Sequence, residues 1–374
     1  MKIVVFGLSI TSAWGNGHAT TFRALLRALH NRKHEIVFFE KETEWYADNR
    51  DLPEPPYCSV VLYDRWTEVL NRARRELADA DVGIVGSYFP DGVSAVDELL
   101  ESRAVKTFYD IDTPITIARL RENGTTGCVR AEQLPGLDVY FSFTGGPMLR
   151  EIEEQFGAKL AFPLYCSFDP AEYRRFGTNK RFACDLSYMG TYASDRQTKL
   201  EELLVHTATQ LPDKQFIVAG SQYPKSIRWP KNVRRMVHVN PKWHARFYSS
   251  SRLTLNVTRR EMVIAGYSPS VRLFEAAACG AVIVSDSWPG LDAFFIPGRE
   301  ILLANDSQDV ARYFALPNSE LRLIGDAARA RVLSDHTSEI RARQFEQAIE
   351  AAKAKREVAA PGAQLEEVEV THLS

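Results

Sequence analysis

The stretch Ser268-Pro-Ser-Val-Arg-Leu-Phe-Glu-Ala-Ala-Ala-Cys-Gly-Ala-Val-Ile-Val-Ser285 decides the fold, because it reads as a loop, then a helix, then a buried strand. A proline and two serines open it, residues 271–279 are good helix formers, Gly280 stops the helix, and residues 281–284 are short, apolar and largely β-branched. The helix therefore starts at Ser270, with Val271 and Arg272 in its first turn. The N–H groups and positive dipole end of such a start form an anion site, and an arginine adds a fork suited to phosphate oxygens. Glu275 lies one turn further in, on the face of Arg272 and Val271. A carboxylate there suits neutral donors such as sugar hydroxyls; an ion pair within its own helix is the alternative.

Outward from this point, length and composition bound the rest. A chain of 374 residues is long for one domain, and the length favours two of roughly 150–200 residues each. Hydrophobic content of 45% and charged content of 25% belong to a globular protein in water. A net charge of −2 argues against a general nucleic-acid or membrane-surface binder. The five cysteines are scattered and lack CxxC spacing, so neither a disulfide framework nor a zinc site follows. No apolar run approaches the roughly 20 residues of a membrane span, and the N-terminus enters a strand directly, which makes the cytoplasm the expected setting.

The first domain opens as strand, loop, helix, strand. Lys2-Ile-Val-Val-Phe-Gly7 is a continuous apolar run, Phe22, Leu25, Leu26 and Leu29 recur at helical spacing, and Glu35-Ile-Val-Phe-Phe-Glu40 is the next strand. Ligands of such a Rossmann-type unit sit beyond the carboxyl ends of the strands. Four further runs fit the layout: Val82-Gly-Ile-Val-Gly86, Val105-Lys-Thr-Phe-Tyr109, Val139-Tyr-Phe-Ser142 and Leu160-Ala-Phe-Pro163. The first loop holds Gly15-Asn-Gly17-His18, whose spacing departs from GxGxxG, so no dinucleotide fingerprint follows. Asp110 and Asp112 close a strand, at the expected cleft edge. Three readings stand for them: metal ligands in DxD spacing, carboxylates that orient or deprotonate a hydroxyl, or turn formers before Pro114.

The second domain repeats the alternation, with strands at Asp185-Leu-Ser-Tyr-Met189, Gln215-Phe-Ile-Val-Ala-Gly220, Leu253-Thr-Leu-Asn-Val-Thr258 and Ile301-Leu-Leu-Ala304, and helices over 196–210 and 321–333. We expect domains over 1–168 and 169–336, a helix over 337–356, and a disordered acidic tail over 357–374.

Pro269-Ser-Val-Arg-Leu-Phe-Glu-Ala-Ala-Ala-Cys-Gly280 resembles the C-terminal signature of GT-B glycosyltransferases, most closely a CgeB-like, spore-maturation-type branch related to family 4. The Met189-Gly-Thr-Tyr-Ala-Ser-Asp-Arg196 turn and Thr144-Gly-Gly-Pro147 are similar to the same branch. The resemblance implies an α/β fold of GT-B architecture, two Rossmann-like domains facing across a cleft, with the last helix crossing back to the first domain. It implies transfer of a sugar from a nucleotide diphosphate sugar, UDP-linked or GDP/TDP-linked, to an acceptor of unknown identity, without metal or other cofactor. Donor-side residues implied by it are Gly190, Thr191, Arg196, Gly220, His238, Arg259, Ser270, Val271, Arg272 and, on the ribose, Glu275. Family 4 enzymes carry a further glutamate eight residues earlier; Tyr267 occupies that place and is set with the donor-side residues. A bond from Arg196 to the diphosphate competes with an ion pair to Asp195. On the facing side, Gly15, Gly17 and His18 are implied at the acceptor, with His18, Asp110 and Asp112 as catalytic candidates and a helix-capping role as the alternative for His18. Two other functions remain open: a sugar-nucleotide epimerase of the same shape, and a non-catalytic nucleotide-sugar-binding protein.

Overall fold

Thirteen short strands, each followed by a connection on one face or the other, fall into two separate parallel sheets in the computed structural model, which describes residues 1–16 and 18–359. Gly17 and residues 360–374, where most of the expected tail falls, lie outside the described residues. The first sheet is built from β1 (Lys2–Phe6), β2 (Glu35–Lys41), β3 (Ser59–Tyr63), β4 (Val82–Gly86), β5 (Val105–Asp110), β6 (Val139–Ser142) and β7 (Ala161–Pro163). The second holds β8 (Cys184–Met189), β9 (Phe216–Ala219), β10 (Val233–Met236), β11 (Ser251–Asn256), β12 (Val282–Ser285) and β13 (Leu302–Leu303). Apart from Lys2 at its start, β1 is apolar and buried, as β4 is throughout, which is the pattern of strands covered on both faces in a parallel sheet. This is the GT-B arrangement of two Rossmann-like sheets.

Strand order locates the site before any side chain is considered. The first sheet runs β3-β2-β1-β4-β5-β6-β7 and the second β10-β9-β8-β11-β12-β13. In the first, the chain leaves β1 for one edge and returns at β4; in the second, it leaves β8 and returns at β11. Connections diverge at these two reversal points and leave crevices beyond the carboxyl ends of the strands, where open α/β sheets bind ligands. The segments following β1, β4, β8 and β11 are therefore the expected walls of a site.

The helix Ser338–Ala359, which runs three residues beyond the expected end at Arg356, follows the second sheet in sequence but packs against the first. Phe345 stacks on Phe141 of β6 with ring centroids 5.2 Å apart, Glu346 accepts from Arg32 and His34, and Arg356 donates to the Ala104 carbonyl at 2.7 Å. The strap is anchored by ring contact and by hydrogen bonds at several points along its length. The predicted helix over 196–210 spans Ser194–Leu200 and His206–Gln210, joined by one π-helical turn at Glu201–Val205.

Candidate functional site

Between the two sheets lies a cavity of about 470 Å³ whose walls come from all four reversal-point segments. On the second-domain side the helix Val271–Ala278 points its N-terminus at the cavity, and Ser270, Val271, Arg272 and Glu275 all line it. Arg272 is buried. Its Nε donates to the Met189 carbonyl, its Nη1 to Asn256 Oδ1 at 2.8 Å, and its guanidinium lies 5.0 Å from the Tyr188 ring. Asn256 is fully used in holding it: Oδ1 also accepts from Ser270 Oγ at 2.8 Å, while Nδ2 donates to Ser285 Oγ and Thr258 Oγ1. Thr258 in turn donates through its amide and hydroxyl to the buried Asp286 carboxylate. Such a closed network keeps the arginine at one place in the wall, which a mobile surface arginine lacks.

Two glycines allow the backbone to come close here. A Cβ on Gly220, whose φ is +152°, would lie 1.9 Å from the Gly190 carbonyl oxygen, and one on Gly190 would lie 2.9 Å from Arg272 Nη2. The β8 and β9 ends therefore sit against each other because Gly220 lacks a side chain, while Gly190 leaves the place of a Cβ to Tyr188 Oη and Arg272. Thr191 and Arg196 line the cavity beside them. Arg196 donates to the Thr191 carbonyl at 2.6 Å, and its buried Nε has no protein partner among the described residues. The expected alternative for Arg196, a bond to Asp195, is not made: Asp195 accepts instead from the Arg260 amide and the Arg259 side chain. Arg259 spans the cleft, 3.4 Å from Asp195 on its own domain and 3.7 Å from Asp112 on the other. His238 lines the cavity and packs at a 46° tilt against Trp14 of the first domain, with ring centroids 4.5 Å apart.

The first-domain wall is organised by a buried acid that sequence reading treats only as the end of β2. Glu40 is wholly buried and accepts from Ser9 Oγ, Ile10 N, Thr11 N and Thr11 Oγ1 at 2.6–3.1 Å. One carboxylate thus fixes the loop that leads to Gly15 and His18. Glu40→Ala strands four buried donors, and unfolding by denaturant is expected to show a loss of about 2–4 kcal/mol. Gly15 lines the cavity with φ +62°, and His18 enters it between Tyr88 and Phe143, each ring 6.4 Å away. Burial lowers the imidazole pKa, with Asp112 opposing and Arg259 reinforcing the effect, so His18 is neutral near pH 7. Asp112 lines the same wall and accepts from Tyr88 Oη at 2.7 Å.

Two of the expected site residues are placed elsewhere. Asp110, expected at the cleft edge, is wholly buried behind it, because β5 ends at Asp110 and the turn that follows breaks the alternation that would have kept Asp112 on the same face; it accepts from Tyr140 Oη at 2.5 Å, Thr116 Oγ1 and the Asp112 amide. Burial raises its pKa to about 6. The two carboxylates face different partners, and among the described residues no group of three or more His, Cys, Asp or Glu side chains is placed to hold a metal ion. Tyr267 does not line the cavity either. At φ +47° its ring packs where a Cβ on Gly146 or Gly290 would lie, and its carbonyl accepts from the Gly145 amide at 2.9 Å. Together with a Thr144–Ser268 hydroxyl contact at 2.8 Å, this makes the Thr144-Gly-Gly-Pro147 turn a contact between the domains.

Glu275 is buried at the same junction and accepts from Thr20 Oγ1 of the first domain at 3.0 Å. Burial pushes its pKa up to about 7, against hydrogen bonds from Tyr173 and Thr20 that favour the charged form. A carboxyl whose folded value exceeds its unfolded one stabilises the fold fully below the unfolded value and loses that contribution as pH rises through the folded one. The wild type is therefore expected to lose stability between about pH 4.5 and pH 7. Thermal unfolding of Glu275→Gln across that window tests it: the variant's dependence on pH should be shallower.

Residues 196–347 match a family model described as "Glycosyl transferase-like". No curated protein matches the chain. Among solved structures, the sucrose-phosphate synthase of Thermosynechococcus elongatus superposes with a TM-score of 0.70 at 14% identity, over 95% of this chain and 100% of that one. Anabaena HepE, solved with UDP and glucose, gives 0.67 at 12% identity over 94% and 100%. An alpha-glucosyltransferase solved with UDP-glucose and abasic-site DNA gives 0.69 at 12% identity over 94% and 99%. At these identities the likeness is one of fold.

Proposed function

We propose, taking the GT-B fold and the glycosyl transferase-like match of the second half as premise, that the chain is a glycosyltransferase using a nucleotide diphosphate sugar. The observation that carries this reading is the cavity itself, where three arginines and a helix N-terminus on one wall face a neutral histidine and a carboxylate on the other. Leaving-group chemistry belongs to the first wall. When the bond from the sugar's anomeric carbon to the diphosphate breaks, negative charge develops on the departing oxygen, and Arg196, Arg259, Arg272 and the helix dipole are fixed in place to receive it. That arrangement calls for no metal. Gly190 and Gly220 let the diphosphate approach the backbone, Glu275 meets the ribose hydroxyls, and His238 stands by the base. The second wall receives the acceptor: its hydroxyl oxygen bonds to the anomeric carbon while its proton passes to His18 or Asp112.

UDP is the first donor nucleotide to test, since two of the structural neighbours were solved with UDP or UDP-glucose. Titration of UDP, GDP and TDP with thermal unfolding as readout should show at least one that stabilises; a ligand at roughly 100 times its Kd adds about 2.7 kcal/mol. Failure of all three to bind defeats the reading. Product analysis with donor alone then separates transfer from epimerisation.

A further inference from the structure

Next to the main cavity lies a second hollow of about 220 Å³, walled by Ser87, Tyr88, Phe89, Ile115, Arg119 and Thr126. Tyr88 lines both spaces. It lies two residues past the end of β4, at the reversal point of the first sheet, and it adopts φ +66°, a left-handed conformation that a bulky side chain takes only when its surroundings impose it. One face of its ring meets His18, its hydroxyl donates to Asp112, and the hollow lies beyond. A molecule with a hydroxyl at Asp112 therefore has a single side chain between it and the hollow.

The hollow's polar groups are almost all committed. Ser87 Oγ accepts from the Ile111 amide, Thr116 Oγ1 donates to Asp110, and Thr126 Oγ1 takes the Cys128 and Val129 amides. Arg119 is different. It is the hollow's one charged lining residue, and among the described residues it has no hydrogen bond and no ion pair, whereas Arg121, two positions on in the same helix, is paired with Glu151. This exposed guanidinium stands beside a concave wall that mixes apolar side chains with committed hydroxyls, and its fork is free to pair with an oxyanion.

We propose that this hollow is an acceptor subsite, and that the acceptor is a sugar or polyol bearing a phosphate or carboxylate group held by Arg119. The proposal rests on the reading of the first-domain wall as the acceptor side. A reach from Asp112 past the edge of Tyr88 places the reacting hydroxyl in the main cavity and the anionic substituent at Arg119, so the hollow selects acceptors by charge.

The test compares wild type, Arg119→Ala and Arg121→Ala in calorimetric titrations with glucose 6-phosphate, glucuronate and glucose as probes. Both arginines sit at the surface end of one helix, so the second variant controls for net charge. Wild type should bind at least one of the anionic probes about tenfold or more tightly than glucose, and Arg119→Ala should lose that advantage while Arg121→Ala keeps it. The phosphate and carboxylate arms say which anion is taken. Equal affinity of the anions for wild type and Arg119→Ala, an equal loss in Arg121→Ala, or no preference over glucose overturns the proposal. Affinity for whichever of UDP, GDP and TDP binds reports on the donor reading separately on the same three proteins: it should be unchanged throughout, and failure of all three nucleotides to bind defeats that reading whatever the anion arms show.

Discussion

Arg272→Ala is expected to weaken UDP binding by about 10–100-fold, the range for losing charge-assisted hydrogen bonds of about 1.5–3 kcal/mol. The side chain is already held by the Met189 carbonyl and by Asn256 through two of its nitrogens, and Nη2 lies alongside Gly190 in the wall of the cavity. Its orientation is thus fixed before ligand arrives, so little entropy is lost on binding and most of the interaction appears as affinity. Uridine, which lacks the phosphates, should lose far less. Because alanine also leaves a buried carbonyl and an amide oxygen short of a donor, the variant will be less stable, and affinity must be measured well below its unfolding temperature. Arg272→Lys keeps the charge but cannot span Met189, Asn256 and a phosphate together, so an intermediate loss is expected. Equal losses for UDP and uridine would remove Arg272 from the phosphates.

How much of this was legible in the sequence depended on burial. Central strands such as β1, β4 and β12 announce themselves as continuous apolar runs because both faces are covered. The two strands missing from the sequence-based expectations, β3 and β10, are sheet edges: Ser-Val-Val-Leu-Tyr in β3 has the composition of a strand and is missed although legible, whereas Val-Arg-Arg-Met in β10 carries two arginines at an edge that meets solvent and reads as a loop. The helix at Ser270 was legible because its start, its arginine and its terminating glycine are local features. Residues whose placement depends on distant partners were not. Glu40 organises a loop some thirty positions away in the chain, Tyr88 reaches Asp112 only after the sheet forms, and Trp14 meets His238 only across the domain boundary. A strand-like alternation inside Asp110-Ile-Asp112 did carry information, since carboxylates so spaced share one face in a strand, but β5 ends at Asp110 and the chain turns there. That turn separates the two acids, and no local pattern reveals it.

The acid–base step should depend on His18 and Asp112 and not on Asp110. His18→Ala and Asp112→Asn are each expected to lower turnover by about 10²–10⁴-fold, or roughly 3–5 kcal/mol of barrier, if the substituted group takes the acceptor proton. Donor affinity should be nearly untouched in His18→Ala; in Asp112→Asn a modest change is expected, since Arg259 is 3.7 Å from that carboxylate. Asp110→Asn removes a buried charge that accepts from Tyr140, Thr116 and an amide, so its cost should fall on stability, with turnover per folded molecule close to wild type. The pH profile identifies the base. His18 is held below the ordinary imidazole range by burial, so as a base it is competent at neutral pH and the rate should fall only as acidity passes its lowered value. A limb nearer pH 7 that persists in His18→Ala and disappears in Glu275→Gln belongs to the donor side, where burial places Glu275 at about 7. Normal turnover in both His18→Ala and Asp112→Asn, or losses that track weakened UDP binding, would move the proton-accepting role to another group in the cleft and leave these two residues as parts of the wall.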